Sequence, residues 1–251
     1  LFDRVASEPS RTGLFSFAEG YATGASMHQG SKAPVVVCFD AGNLESVVAE
    51  NANKIPANLV PILAVDNDQF FVERALGYLA EHVGINPNSQ RGSTVEVLSS
   101  QSSSRLVSLG DAVADDEWHQ APNGRYRMSL EREADSTEVR SIEVEVLVNG
   151  QERSSSAQFS NRGVEAGRTA LETLEKRGQG HTRAVMLVPE FNTLRGRPTD
   201  WNDMAMMQGT QQISQQFVGL LRKEGLVKET VRTNQPAMAQ AAGRTNTGVE
   251  R

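Results

Sequence analysis

The sequence predicts an α/β protein: a doubly wound, mainly parallel sheet of four strands, with a small antiparallel β subdomain inserted in one crossover. Three observations predict it. Four short runs, 14–18, 35–39, 59–65 and 184–188, are apolar at nearly every position, the pattern of strands covered on both faces. Helical segments alternate with the first three, giving a β-α-β-α-β series that implies right-handed crossovers. Between the third run and a helical segment at 164–176 the apolar period changes to two.

In chain order, the first helix is expected over 21–29 and the second over 44–53. The insert opens with a helix at 70–82. Tyr126, Met128 and Leu130 then alternate with Arg127 and Ser129, and Ile142, Val144, Val146 and Val148 with Glu143, Glu145 and Leu147. Asn149-Gly150 after Val148 is a hairpin signal, and the serine-rich stretch 99–104 reads as a loop. In 164–176, Ala166, Ala170, Leu171 and Leu174 fall at helical spacing; the last helix, 204–223, turns Ile213, Phe217, Leu220 and Leu221 to one face. From Thr230 on, Gln, Ala, Asn, Thr and Gly without a sustained period read as a mobile linker. The chain thus divides into a core in two parts, 1–69 and 161–228, an insert of helix plus β subdomain at 70–160, and a flexible tail at 229–251. The polar lead-in from Leu1 suggests a piece of something longer.

Composition narrows the function. Among 251 residues, 38% are hydrophobic and 22% charged, enough apolar side chains for a buried core, which excludes wholesale disorder. No apolar run approaches the roughly 18 residues of a membrane span, so no membrane partner is expected and a cytoplasmic location is. The net charge of −6 argues against gripping nucleic acid by bulk electrostatics, so any such contact must be local. The single Cys38, in an apolar run, excludes disulfides and cysteine-rich zinc sites and reads as a buried thiol.

In open parallel sheets, ligands bind beyond the carboxyl ends of the strands. Beyond the first strand comes Glu19, beyond the second Asp40 and Asn43, beyond the third Asp66 and Asp68, and beyond the fourth, at a longer remove, Asp200, Asn202 and Asp203. Residues two apart at a strand end point the same way, so Asp66 and Asp68 can offer both carboxylates to one cation. Oxygen ligands suit Mg2+, and a cluster without an ion would repel itself. Asp40, Asp200 and Asn202 are equally the residue types that cap helices. The histidines, His28, His82, His119 and His181, are scattered without ligand spacing. Trp118 beside His119 could stack on a base, although a lone aromatic in a β subdomain belongs more often to the core. Arg162, Arg168, Lys176, Arg177, Arg183, Arg195 and Arg197 form the most basic region, a path for a phosphate backbone or simply a solvated surface.

Several segments carry a family resemblance. The run from Phe17 to Ser26 (FAEGYATGAS), the run from Val36 to Asn43 (VVCFDAGN) and the run from Ala64 to Asp68 (AVDND) resemble the Toprim domain of plasmid and phage, conjugative-type DNA primases. Asn161-Arg162-Gly163 opening a helix, and Thr199-Asp200-Trp201-Asn202-Asp203, resemble later segments of the same family. The resemblance spans most of 14–69 and 161–217. It implies a Toprim-like fold and a DNA primase-type nucleotidyltransferase that makes primers, with a single-stranded DNA template and nucleoside triphosphates as partners. Further domains of a longer parent chain are implied as well. Glu19, Asp66 and Asp68 would hold Mg2+ or Mn2+, Glu19 alternatively acting as general acid or base, and Asp40, Asn43, Asp200, Asn202 and Asp203 would bind nucleotide or nucleic acid. Arg162 stands where those primases often have proline, and the insert is foreign to the family pattern. The same residues would also suit a Toprim-type nuclease, and a noncatalytic docking module of a large conjugative transfer protein is a third expectation.

Overall fold

The structure is a computed structural model that describes residues 13–99, 103–177 and 183–226. The amino-terminal lead-in, His181 and the tail 229–251 lie outside the described residues.

Four strands form the first sheet: β1 (Leu14–Ala18), β2 (Val35–Val37), β3 (Val60–Ala64) and, late in the chain, β10 (Val185–Leu187). Their order is β10-β3-β1-β2, and every pair is parallel. Helices cover both faces, which is why the strands read as unbroken apolar runs. On one face Phe15, Phe17 and Leu63 pack against Leu44 and Val48 of α2 (Ala41–Asn51) and Ala170 and Leu174 of α4 (Arg162–Arg177). On the other, Leu14, Ile62, Ala64 and Leu187 meet Met27 of α1 (Tyr21–Ser31), Trp201 and Met204 of α5 (Trp201–Gln208), and Ile213 and Phe217 of α6 (Thr210–Lys223). The connection leaving β1 runs over one face to β2, whereas the chain leaving β3 reaches β10 through a helix on the opposite face. The ends of β1 and β3 therefore border the crevice where such sheets bind ligands.

The insert builds a core of its own. The helix α3 (Phe71–Val83) lays Val72, Leu76 and Leu79 against Val97, Tyr126, Met128, Ile142, Val144 and Val146 of a second sheet. That sheet consists of β4 (Thr94–Leu98), β5 (Ser104–Ser108), β6 (His119–Ala121), β7 (Gly124–Arg132), β8 (Glu138–Val148) and β9 (Ser155–Ser160). Its order is β5-β4-β8-β7-β6, with β9 also on β8. It is mixed, not antiparallel as expected, because β4 runs parallel to β8 at Glu96 and Val97. The two ends of the insert meet at the first sheet, where the Asp68 N–H donates to Asn161 Oδ1 at 2.8 Å.

Three other expectations are corrected. The second strand stops at Val37, and Phe39 takes a left-handed φ of 75° that no strand tolerates. The expected last helix is two helices, broken at Gly209, whose φ of 81° and ψ of 158° suit glycine alone. Asn149-Gly150 does make a turn, Gln151 N–H donating to Val148 O at 3.0 Å, but β9 starts only at Ser155, so the hairpin loop is longer than two residues. Within the serine-rich stretch, Ser104 already belongs to β5, and 100–102 lie outside the described residues. Among the described residues no helix is long and apolar enough to cross a membrane.

Candidate functional site

Strand order sets the carboxylates in a row along one sheet edge: the loop carrying Asp200 follows β10, Asp66 follows β3, Glu19 follows β1 and Asp40 follows β2. Glu19 and Asp66 form its centre. The Asp66 N–H donates to Glu19 Oε1 at 3.0 Å, and Thr23 Oγ1, one turn into α1, donates to Asp66 Oδ1 at 3.2 Å. Glu19 is only 5% exposed. Burial pushes its carboxyl up to about 7; the Asp66 N–H opposes the rise, and the charges of Asp68 and Asp40 add to it. Burial likewise lifts Asp66 to about 8, followed by the charges of Glu19 and Asp200 and, more weakly, Asp68, with the Thr23 hydroxyl opposing. Beneath this row, burial and the neighbouring Glu19 and Asp40 charges raise the Cys38 thiol to about 12, so it is an inert packing group, as expected.

Asp68 lies at the margin. Its Oδ1 pairs with Arg74 Nη1 at 3.3 Å, and the same guanidinium donates to Ser160 O at 3.1 Å. The helix of the insert thus holds the second carboxylate of Asp66-Asn67-Asp68. Between them Asn67 is fully buried and turned inward, its amide donating to Pro189 O at 3.1 Å and to Ser99 O.

The flanking residues are fastened mainly by local capping. Asp40 caps α2: its Oδ1 accepts from Asn43 N–H at 2.8 Å and its Oδ2 from the Asn43 amide at 3.0 Å. Asp200 caps α5 by accepting from Asp203 N–H at 2.6 Å, while Asp203 Oδ2 accepts from Thr199 N–H at 2.8 Å. Burial raises the Asp200 carboxyl, with the Asp203 N–H opposing and the Asp203 charge adding. Asn202 accepts from Ser26 Oγ at 3.5 Å across to α1. Capping and proximity to the site coexist in Asp40 and Asp200, since their charges act on Glu19 and Asp66 respectively. The Asp40→Ala variant is expected to lose about 1 kcal/mol of stability and Asp40→Asn a few tenths at most. Urea unfolding checks this: equal losses in the two variants would show that the cap is not what Asp40 contributes.

Sequence reasoning left three supporting residues without a role in the site. Asn161 Oδ1 accepts from both the Asp68 and Val164 N–H groups, and its amide donates to Asn67 Oδ1 at 2.9 Å, tying the start of α4 to the acidic loop. Gly163 permits that approach: a Cβ there would collide with the Asp66 carbonyl and come within 2.9 Å of Glu19 Oε1. Trp201 is fully buried and donates its indole N–H to Val65 O at 3.0 Å, fixing α5 to the end of β3. The signal for Asn161 and Gly163, a capping residue followed by glycine at a helix start, was present, but their target lies some ninety residues away along the chain.

Elsewhere the expectations divide. Trp118 is not a core residue: it is 39% exposed, with the Arg125 and Arg127 guanidiniums 5.1 and 5.9 Å from its ring centre. In the basic region Arg168 pairs with Glu133, Lys176 with Glu172 and Arg183 with Glu224, so part of its charge is already compensated. The donor chemistry of Glu19, Asp66 and Asp68 suits a hard divalent cation, and the carboxyls of the first two are raised chiefly by burial, with the neighbouring carboxylate charges adding to it. Among the described residues, however, no three His, Cys, Asp or Glu side chains are gathered into a ready-made metal centre; Asp68 is paired with Arg74. Comparison of the chain with protein-family models, with curated proteins and with solved structures finds no match in any of the three.

Proposed function

We propose that this chain is a Toprim-like module of a primase-type nucleotidyltransferase, acting with Mg2+ or Mn2+ on single-stranded DNA and nucleoside triphosphates. One observation carries the reading: Glu19 and Asp66, from adjacent parallel strands, are joined by a hydrogen bond at the crevice of the sheet, and the charge of Glu19 raises the proton affinity of Asp66. Glu19, Asp66 and Asp68 would hold the cation, which when bound neutralises a triphosphate and stabilises the attacking and leaving oxygens of an in-line displacement. Glu19, titrating near neutrality, is also suited to give or take a proton. Thr23 and Asn161 orient the acidic loop, and buried Asn67 anchors its middle. The sequence resemblance to plasmid and phage primases supports the same assignment.

The test is primer synthesis on single-stranded DNA with labelled nucleotides and Mg2+ or Mn2+. Product is expected from the native chain, falling to background in Glu19→Gln and Asp66→Asn. Cleavage of the strand without synthesis would replace this reading with a nuclease. A second reading, a noncatalytic docking module, is favoured by the Asp68–Arg74 ion pair, which already satisfies one of the carboxylates. Metal binding with neither synthesis nor cleavage would establish it.

A further inference from the structure

Two aromatic side chains beside the acidic row are exposed far beyond what folding requires. Tyr21 is 76% exposed and Phe39 78%. Tyr21 is the first residue of α1, two positions after Glu19; Phe39 immediately precedes Asp40. The strands that deliver them are hydrogen-bonded neighbours, Ala18 in register with Val37, and the Cys38 N–H donates to Ala18 O at 2.8 Å. Both rings therefore leave the same edge of the sheet, on adjacent loops that also carry Glu19 and Asp40.

Phe39 is the more telling. Its φ of 75° lies in the left-handed region, which a bulky residue adopts only at a cost in energy. A buried ring would offset that cost by packing, but this one faces water, so nothing within the fold compensates. Glycine would take the same backbone conformation without strain and give up only the small covered part of the ring. Two rings on separate loops with carboxylates beside them make a poor contiguous apolar patch for a protein partner. Each is nevertheless a flat face of the size a single base covers.

We infer that Tyr21 and Phe39 form a stacking rim for the bases of single-stranded nucleic acid, placed to hold a strand whose phosphates approach the acidic row. The inference rests on the reading of that row as a phosphoryl-transfer site. With a net charge of −6, the chain cannot draw a strand in by bulk attraction, and stacking is the contribution to binding that needs no positive charge. Because the neighbouring groups are carboxylates, binding depends on a divalent cation to screen the phosphates.

The test is fluorescence anisotropy with a short oligothymidylate and an abasic oligonucleotide of equal length, both in Mg2+. The native chain is expected to prefer the base-bearing strand. Phe39→Gly and Tyr21→Ala should each weaken that binding by roughly 5- to 100-fold and leave the abasic strand unaffected, whereas Tyr21→Phe retains it. Phe39→Gly should melt at or above the native temperature, so its loss of binding cannot be unfolding. Equal binding of the two strands by the native chain, or unchanged binding in both ring-removing variants, overturns the inference. A metal-induced rise in melting temperature without base preference removes the stacking rim and leaves the phosphoryl-transfer reading standing. Base preference in a chain that responds to metal but makes no primer keeps the stacking rim and removes the primase reading.

Discussion

In metal-free buffer, the protein is expected to lose stability as pH rises from about 5 to about 8, opposite in sign to the usual effect of a salt-bridged carboxylate. Asp66 is raised from 3.8 to about 8 and Glu19 from 4.5 to about 7. In the unfolded chain both are ionised above pH 5, while the folded chain keeps their protons until pH 7 or 8. Across that window the folded state binds more protons, so the free energy of unfolding falls with pH. Their contribution is fully present below the unfolded values near 4 and fully lost above about 8. Each tenfold change in proton affinity corresponds to about 1.4 kcal/mol, and because Glu19 causes part of the rise at Asp66 the two do not add, so the loss is on the order of 5 kcal/mol. Glu96 and Asp115, held below the usual carboxylate range chiefly by the Ser104 hydroxyl and by His119 respectively, act in the other direction, and only as pH falls through their own low values. The measurement is denaturant unfolding in chelator at pH 5, 6.5 and 8. The Asp66→Asn variant should show a much flatter profile and exceed the native chain in stability at pH 8. A native profile that is flat or rises over this range would mean that burial does not keep Glu19 and Asp66 protonated in the folded protein.

The central pair was legible because it depends on only two things a sequence displays, a buried strand and the acid that follows it. Leu14–Ala18 was readable to the residue, since both of its faces are covered and the apolar run ends where the loop begins. Features that depend on what lies opposite were not legible. Alternation in β8 shows that it is a strand with one buried face but not that β4 runs parallel beside it. The break at Gly209 was hidden because Met204 on one side and Ile213 on the other are both buried in the same cluster, so the apolar signal runs on through the glycine. The Arg74 that engages Asp68 stands six residues away, on a helix otherwise devoted to the core of the insert. Acidity after strands marked the row, yet only the folded chain shows that Asp66 N–H is bonded to Glu19 while Asp68, whose charge still acts on both, is paired with Arg74.

The Asp68–Arg74 pair makes the response to metal the sharper measure of the site. Mg2+ or Mn2+ at a hundred times its dissociation constant should stabilise the chain by about 2.7 kcal/mol if it binds only the folded arrangement. The rise in melting temperature should be larger at pH 8 than at pH 6, because the ion competes with protons that Glu19 and Asp66 hold up to about 7 and 8. Asp66→Asn with Asp68→Asn should abolish most of the rise, although the metal-free double variant is as stable as the native chain or more so: Asn at 66 can still accept from Thr23, and the Asp68–Arg74 pair is a partly exposed ion pair of little worth. Asp200→Asn should diminish the rise less, since Asn preserves the cap on α5 and lies at the end of the row. Arg74→Gln is the informative opposite. By releasing Asp68 it should tighten metal binding, provided that Asp68 is a ligand whose recruitment the ion pair resists. Thermal melts of these variants with and without metal decide the matter: a full metal response in the Asp66→Asn/Asp68→Asn chain places the ion elsewhere, and an unchanged response in Arg74→Gln removes Asp68 from the ligand set while leaving Glu19 and Asp66 in it.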